Sequence, residues 1–204
     1  MGTGKGKLDG GILLNGFRFA TNVINNTKNI GINNSKNVVL SSQYNYKTKN
    51  SKGNTITVTR EISGTTNIIN SNCIHVYTCE FAKEVNFTNC YYVKTDRIGN
   101  DCFSNKFTGG LQMRNTRNFI LNECQISTKL NISKDKSETF NGLFTVTNTY
   151  VNNVSIDNMN YFTIKKYCVR TNSKPYDLSN CSRYTNGSRK IVKTELKDSH
   201  THSS

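Results

Sequence analysis

The residue types best suited to nucleophilic or metal chemistry here are seven cysteines and three histidines. Cys73, Cys90 and Cys124 each close a short segment that opens on a polar residue. The segments recur at intervals of 17, as Asn67–Cys73, Glu84–Cys90, Asp101–Phe107 and Asn118–Cys124. Phe107 closes the third copy, and Met159 closes a further one, Asn153–Met159. A zinc ligand is not replaced by Phe or Met, and no C-x2-C pair is present, so no metal is expected. The column Cys73, Cys90, Phe107, Cys124 and Met159 reads instead as a ladder of small buried hydrophobes, its thiols reduced and inaccessible. His75 takes the position of Tyr92 in the next copy and reads as a face residue. His200 and His202 lie in a Ser-rich end, and no Ser or Cys motif offers a triad.

Carboxylates and tyrosines remain. Glycosidic hydrolysis uses two carboxyl groups about 5–10 Å apart, one with a raised pKa. The stretch Thr95-Asp96-Arg97-Ile98-Gly99-Asn100-Asp101-Cys102 supplies Asp96 and Asp101 as candidates. Asp101 also opens a repeat segment, where a turn role accounts for it, so no catalytic residue is assigned. The glycine-rich Met1–Lys7 lacks the spacing of a phosphate-binding loop, and no cofactor is expected. Tyr77, Tyr91, Tyr92 and Lys94 form a set suited to stacking on sugars or gripping a neighbouring subunit.

The elements that must position these residues are strands. Asn occurs 31 times and Thr 24 times, whereas Ala stands only at positions 20 and 82 and the single proline is Pro175. Helix formers are scarce, β-branched and aromatic residues abundant, and turns must rest on Asn, Gly, Ser and Thr. The alternation Val85-Asn86-Phe87 and Val154-Ser155-Ile156 sends apolar side chains inward, so Val85, Phe87, Phe119, Leu121, Val154 and Ile156 are expected in the core. Two octads, 25–32 and 33–40, repeat a polar turn followed by a short apolar strand. Units this short bury nothing alone and must stack, with Asn at repeated turn positions able to form hydrogen-bonded ladders. The expected fold is all-β, stacked short repeats forming a parallel β-helix (solenoid). The alternative is an antiparallel β-sandwich in which each repeat interval makes one hairpin.

The division expected is a Gly-rich N-terminal docking arm over 1–20, a β-repeat body over 21–165 and a basic C-terminal cap or tail over 166–204. A net charge of +14 suits polyanionic partners: an anionic glycan, an acidic protein surface, or nucleic acid, which stays open. No apolar run approaches a membrane span of about 18 residues, and residues 1–7 lack the apolar core of a signal peptide. Reduced thiols from assembly in a cytoplasm are therefore expected.

The run of N-[VIF]-x-[ILF]-x-N-C units over roughly residues 20–165 resembles right-handed parallel β-helix proteins of the phage tail-spike and pectate-lyase-like kind. That resemblance implies a structural or adhesive virion component: a small fibre, spike or capsid decoration touching other virion proteins. Its alternatives are a polysaccharide-degrading β-helix enzyme and a non-catalytic glycan-binding module. Thr95-Asp96 and Gly99-Asn100-Asp101 are faintly similar to the paired-aspartate stretches of polygalacturonase-like enzymes, whose G-H-G motif is absent here. The octads resemble units of intertwined trimeric phage fibres, which implies a homotrimer.

Overall fold

A computed structural model describes residues 2–8, 10–24, 28–41, 46–58, 61–96, 104–140, 144–147, 149–151, 154–158, 163–165, 168–170 and 201–202. All regular structure among them is β. The first sheet has eight strands, in the order Gly2–Leu8, Phe17–Ile24, Lys36–Ser41, Asn72–Tyr77, Tyr91–Asp96, Phe119–Asn122, Phe144–Thr147, Thr163–Lys165. The second has seven: Ile12–Asn15, Ile30–Asn33, Thr66–Ile69, Val85–Thr88, Leu111–Arg114, Leu130–Ser133, Val154–Asp157. The third has six short ones: Glu80–Phe81, Lys106–Phe107, Gln125–Ile126, Tyr150–Val151, Cys168–Arg170, Thr201–His202. Every sheet adds strands in chain order and every pairing within the three is parallel. That rules out the antiparallel sandwich, whose neighbours would alternate in direction. Only the hairpin Tyr46–Lys49/Thr55–Val58 is antiparallel among the described residues.

The chain visits the sheets in rotation. From Val85–Thr88 it passes to Tyr91–Asp96 in the first sheet, then Lys106–Phe107 in the third, and returns as Leu111–Arg114 beside its starting strand. The interval of 17 is not the length of such a pass. Ile12 pairs with Ile30, an offset of 18, and Thr66 with Val85, an offset of 19. Ile30 pairs with Thr66 at 36, Val85 with Leu111 at 26, and Leu130 with Val154 at 24. The basic pass therefore corresponds to an offset of 18 or 19, lengthened in three places by longer connections between strands, the largest containing the hairpin.

Corners explain why strand and turn residues sort as they do. Gly16, Asn34, Asn70, Asn89 and Asn115 end successive second-sheet strands, and all have positive φ, from 48° to 70°. Asn tolerates this left-handed geometry better than other side chains, and Gly is indifferent to it. The next residue in four of these passes is Ser35, Ser71, Cys90 or Thr116, and it points inward. Its hydroxyl or thiol bonds back to the carbonyl two residues earlier: Ser35 to Asn33 (2.9 Å), Ser71 to Ile69 (2.9 Å), Cys90 to Thr88 (3.4 Å), Thr116 to Arg114 (3.0 Å). Two of these hydroxyls also receive a backbone N–H from the preceding pass, Ser35 N–H on Ser71 Oγ (3.0 Å) and Cys90 N–H on Thr116 Oγ1 (3.3 Å). Buried backbone polarity is thus satisfied where ladder bonding stops.

Between the sheets lies a continuous core. Val85, Phe87, Phe119, Leu121, Val154 and Ile156 are all buried, as the alternation predicts. Equivalent side chains stack pass on pass: Phe81 on Phe107 with ring centroids 5.2 Å apart, and Phe119 on Phe144 at 4.7 Å. Tight approach of neighbouring passes sets glycine at two positions: a Cβ on Gly109 would overlap the backbone of Lys83 and Glu84, and one on Gly64 that of Lys28 and Asn29. At the N-terminal side, Gly2–Leu8 and Ile12–Asn15 pair into the first two sheets. Most of 166–204 lies outside the described residues.

Candidate functional site

The outer face of the first sheet gathers five of the residues picked out by type. Strands Asn72–Tyr77 and Tyr91–Asp96 are neighbours, with His75 opposite Lys94 and Tyr77 opposite Asp96. The strand pleat turns Ile74, Val76, Val93 and Thr95 inward and leaves His75, Tyr77, Tyr92, Lys94 and Asp96 half-exposed on the other face. His75 Nδ1 lies 2.9 Å from the Tyr77 hydroxyl, and the two rings meet edge to face at 5.7 Å. Tyr92 tilts against the same imidazole at 6.1 Å. Lys94 Nζ sits 3.5 Å from the Asp96 carboxylate. Burial, reinforced by the Lys94 charge, holds the His75 pKa below its usual value against the opposing pull of Asp96. The imidazole is accordingly neutral at pH 7, with one nitrogen engaged by a phenol. Such a face offers ring surfaces with donors and acceptors at their edges, suited to polar, ring-shaped contacts.

Tyr77, Tyr92 and Lys94 thus share one face, with Asp96 beside them. Tyr91 does not join them. It begins its strand at the corner between second and first sheets and is 49% exposed. Asp101 and Met159 lie outside the described residues.

The cysteine column does not hold. Cys90 sits at the corner from second to first sheet, and Cys124 at the corner from first to third, where it aligns with Cys79, Asn105 and Thr149. Phe107 is a core residue of the third sheet, paired with Phe81 and Ile126. Cys73 is exposed, contrary to expectation, because it occupies a second left-handed position with Asn37, Tyr92 and Asn118 (φ 54–63°). Cys90 and Cys124 are buried in the core, as expected, and each thiol also bonds to the carbonyl two residues back, at corners that other passes fill with Ser, Asn or Thr. Burial pushes each thiol up to about 11, so neither forms a nucleophilic thiolate near neutrality.

Sequence reasoning missed a second feature. At the corner beside Tyr91 there is a cleft of about 350 Å³ lined by Asn70, Asn89, Tyr91, Asn115, Arg117 and Glu138. The signal was present in the recurring Asn-[Ser/Cys/Thr] dipeptides at 34–35, 70–71, 89–90 and 115–116, which mark one edge of the stack. Among the described residues, no group of His, Cys, Asp and Glu is arranged to hold a metal ion. No protein-family model matches this chain, nor does any curated protein or solved structure.

Proposed function

We propose that the chain is a parallel β-helix that serves as a structural and adhesive component of a virion of phage type. What carries the reading is the three-sheet rotation: sheets that grow in chain order, with left-handed Asn at successive corners. Such a body has a long lateral surface relative to its core and contacts only neighbouring passes internally. Its use is mechanical and its contacts are lateral. The His75–Tyr77–Tyr92–Lys94 face supports contact with a glycan or an adjoining subunit, and the net charge of +14 favours acidic partners.

The assembly proposed is a homotrimer attached to a larger particle, in keeping with closed symmetry as the usual outcome of self-association. Light scattering at micromolar concentration, with negative-stain images, tests it. A slender trimeric particle whose melting temperature rises with concentration supports the reading. A 23.0 kDa species with a concentration-independent melt removes the assembly. Incubation with acidic polysaccharides tests the adhesive part: retention supports it, and shortening of the chains would replace it with an enzymatic function.

A further inference from the structure

The corner cleft has the makings of a sugar site. Its walls come from successive passes of one corner. Asn70 and Asn89 end adjacent second-sheet strands, both at φ 52°, and both are exposed. Among the described residues neither side-chain amide has a hydrogen-bond partner, whereas the Asn115 amide is occupied by Asp135 through Nδ2 (2.9 Å) and Oδ1 (2.7 Å). Tyr91 and Arg117 are bridge partners on neighbouring passes, and both line the cleft. Arg117 is held with its Cζ 4.6 Å from the centre of the Phe140 ring. The segment that carries Phe140 is pinned in turn by Lys134, whose ammonium donates to the carbonyls of Asp135 (3.3 Å) and Glu138 (2.7 Å). Glu138 supplies the remaining charge of the wall, and it forms no ion pair with Arg117 among the described residues.

These groups define a ligand by what they accept and what they oppose. An exposed ring offers a flat apolar surface for the C–H face of a pyranose. Two free amides supply both donors and acceptors. A guanidinium donates in a fork, and a carboxylate accepts, so together they match vicinal hydroxyl groups. A ligand carboxylate is drawn by Arg117 and opposed by Glu138, and a ligand ammonium the reverse, so a full charge of either sign gains no net attraction from the pair. The volume lies at the lower end of the roughly 300–1,000 Å³ found for small-molecule sites. We propose that this cleft binds an uncharged hexopyranose residue of a glycan, with Tyr91 as the stacking platform and Arg117, Glu138, Asn70 and Asn89 bonding its hydroxyls. The inference rests on the adhesive reading for its purpose, and it differs from that reading in selecting a neutral sugar where the overall charge attracts acidic polymers.

Saturation-transfer NMR on the full chain tests it, with N,N′-diacetylchitobiose, maltose, cellobiose and digalacturonate as probes. Transfer from the protein to at least one neutral disaccharide is expected. Tyr91→Ala and Arg117→Ala should each weaken that binding by about tenfold or more. Tyr91→Phe, which keeps the ring, should retain it, and Lys106→Ala in the third sheet should not alter it. Circular dichroism melts identify any variant that fails to fold. In that case Glu138→Gln decides: loss of the carboxylate should admit digalacturonate, and its continued exclusion overturns the proposal. Binding of digalacturonate alone by the parent, binding of none of the neutral probes, or undiminished binding by folded Tyr91→Ala also overturns it. A monomer that binds a neutral disaccharide keeps the site and removes the assembly; an oligomer that binds none removes the site alone.

Discussion

Two buried threonines should respond to the same substitution with opposite signs. Thr66 opens a second-sheet strand, fully buried in a column between Ile30 and Val85, and its hydroxyl has no hydrogen-bond partner among the described residues. A buried hydroxyl left unpaired costs about 1–3 kcal/mol. Valine keeps the shape, removes that cost and adds a buried methyl, so Thr66→Val should stabilise by about 1–3 kcal/mol. In a chain of this size each kcal/mol raises the melting temperature by roughly 2–4 °C. Thr95 is equally buried on the first sheet, but its hydroxyl accepts the Asn122 N–H at 2.8 Å and lies 3.4 Å from the Ile120 and Asn122 carbonyls. Thr95→Val strands a backbone donor and should destabilise by about 1–3 kcal/mol. Urea unfolding of both variants, with slopes checked against the parent, reads the pair. If both shift the same way, or Thr66→Val is neutral, then hydroxyl pairing does not govern these positions and the reasoning fails.

Under native conditions a thiol reagent should label Cys73 and leave Cys90 and Cys124 untouched; rapid modification of either buried thiol would contradict their placement. Because folding raises those two pKa values from 9.0 to about 11, the unfolded chain loses protons first as pH rises. Stability should therefore fall through that window by about 1.4 kcal/mol per pH unit for each thiol, and Cys124→Ala should flatten the slope measurably. Asn34→Ala, at φ 52° and with loss of the 2.8 Å amide bond to Asn15, should cost about 1–2 kcal/mol, whereas Asn34→Gly should cost less; equal losses in a thermal melt would argue against backbone strain as the cause. Asp135 has its pKa lowered first by the Asn115 amide and then by Arg114, so the anchorage of 134–140 should hold above the ordinary carboxylate range and loosen as pH falls through the depressed value. Amide hydrogen exchange of Glu138, whose N–H bonds to the Asp135 carbonyl, reports that loosening, and unchanged protection down to pH 2, roughly two units below an ordinary Asp, would refute it.

Strand content and core were legible because they depend on alternation within a single short strand. Val85 and Phe87 point inward whatever precedes or follows their strand, and both are buried. The pass length was not legible, since it is set by how much chain leaves the sheets between corners. Insertions around 42–60, 97–103 and 134–143 change the separation of equivalent residues without disturbing the register. The apparent interval of 17 arose because Asn89-Cys90 and Glu123-Cys124 look alike while turning different corners, and because Asn72-Cys73 lies at the start of a strand. Cys73 was misjudged for that reason: the same dipeptide pattern places a residue inward after a left-handed Asn and outward when the Cys itself is left-handed. The Tyr91–Arg117 pair stayed hidden because an insertion, rather than the basic pass, fixes how far apart the two stand in the chain. What survives insertion is local. A left-handed residue followed by Ser, Thr or Cys, whose side chain returns to the carbonyl two residues back, is complete within one corner. Aligning the chain on those corners rather than on a constant interval brings Asn34, Asn70, Asn89 and Asn115 into one line. Three of those four, Asn70, Asn89 and Asn115, line one wall of the cleft, and Asn70 and Asn89 carry amides with no hydrogen-bond partner among the described residues, so the rule that stabilises the turn also decides where such amides gather on the surface.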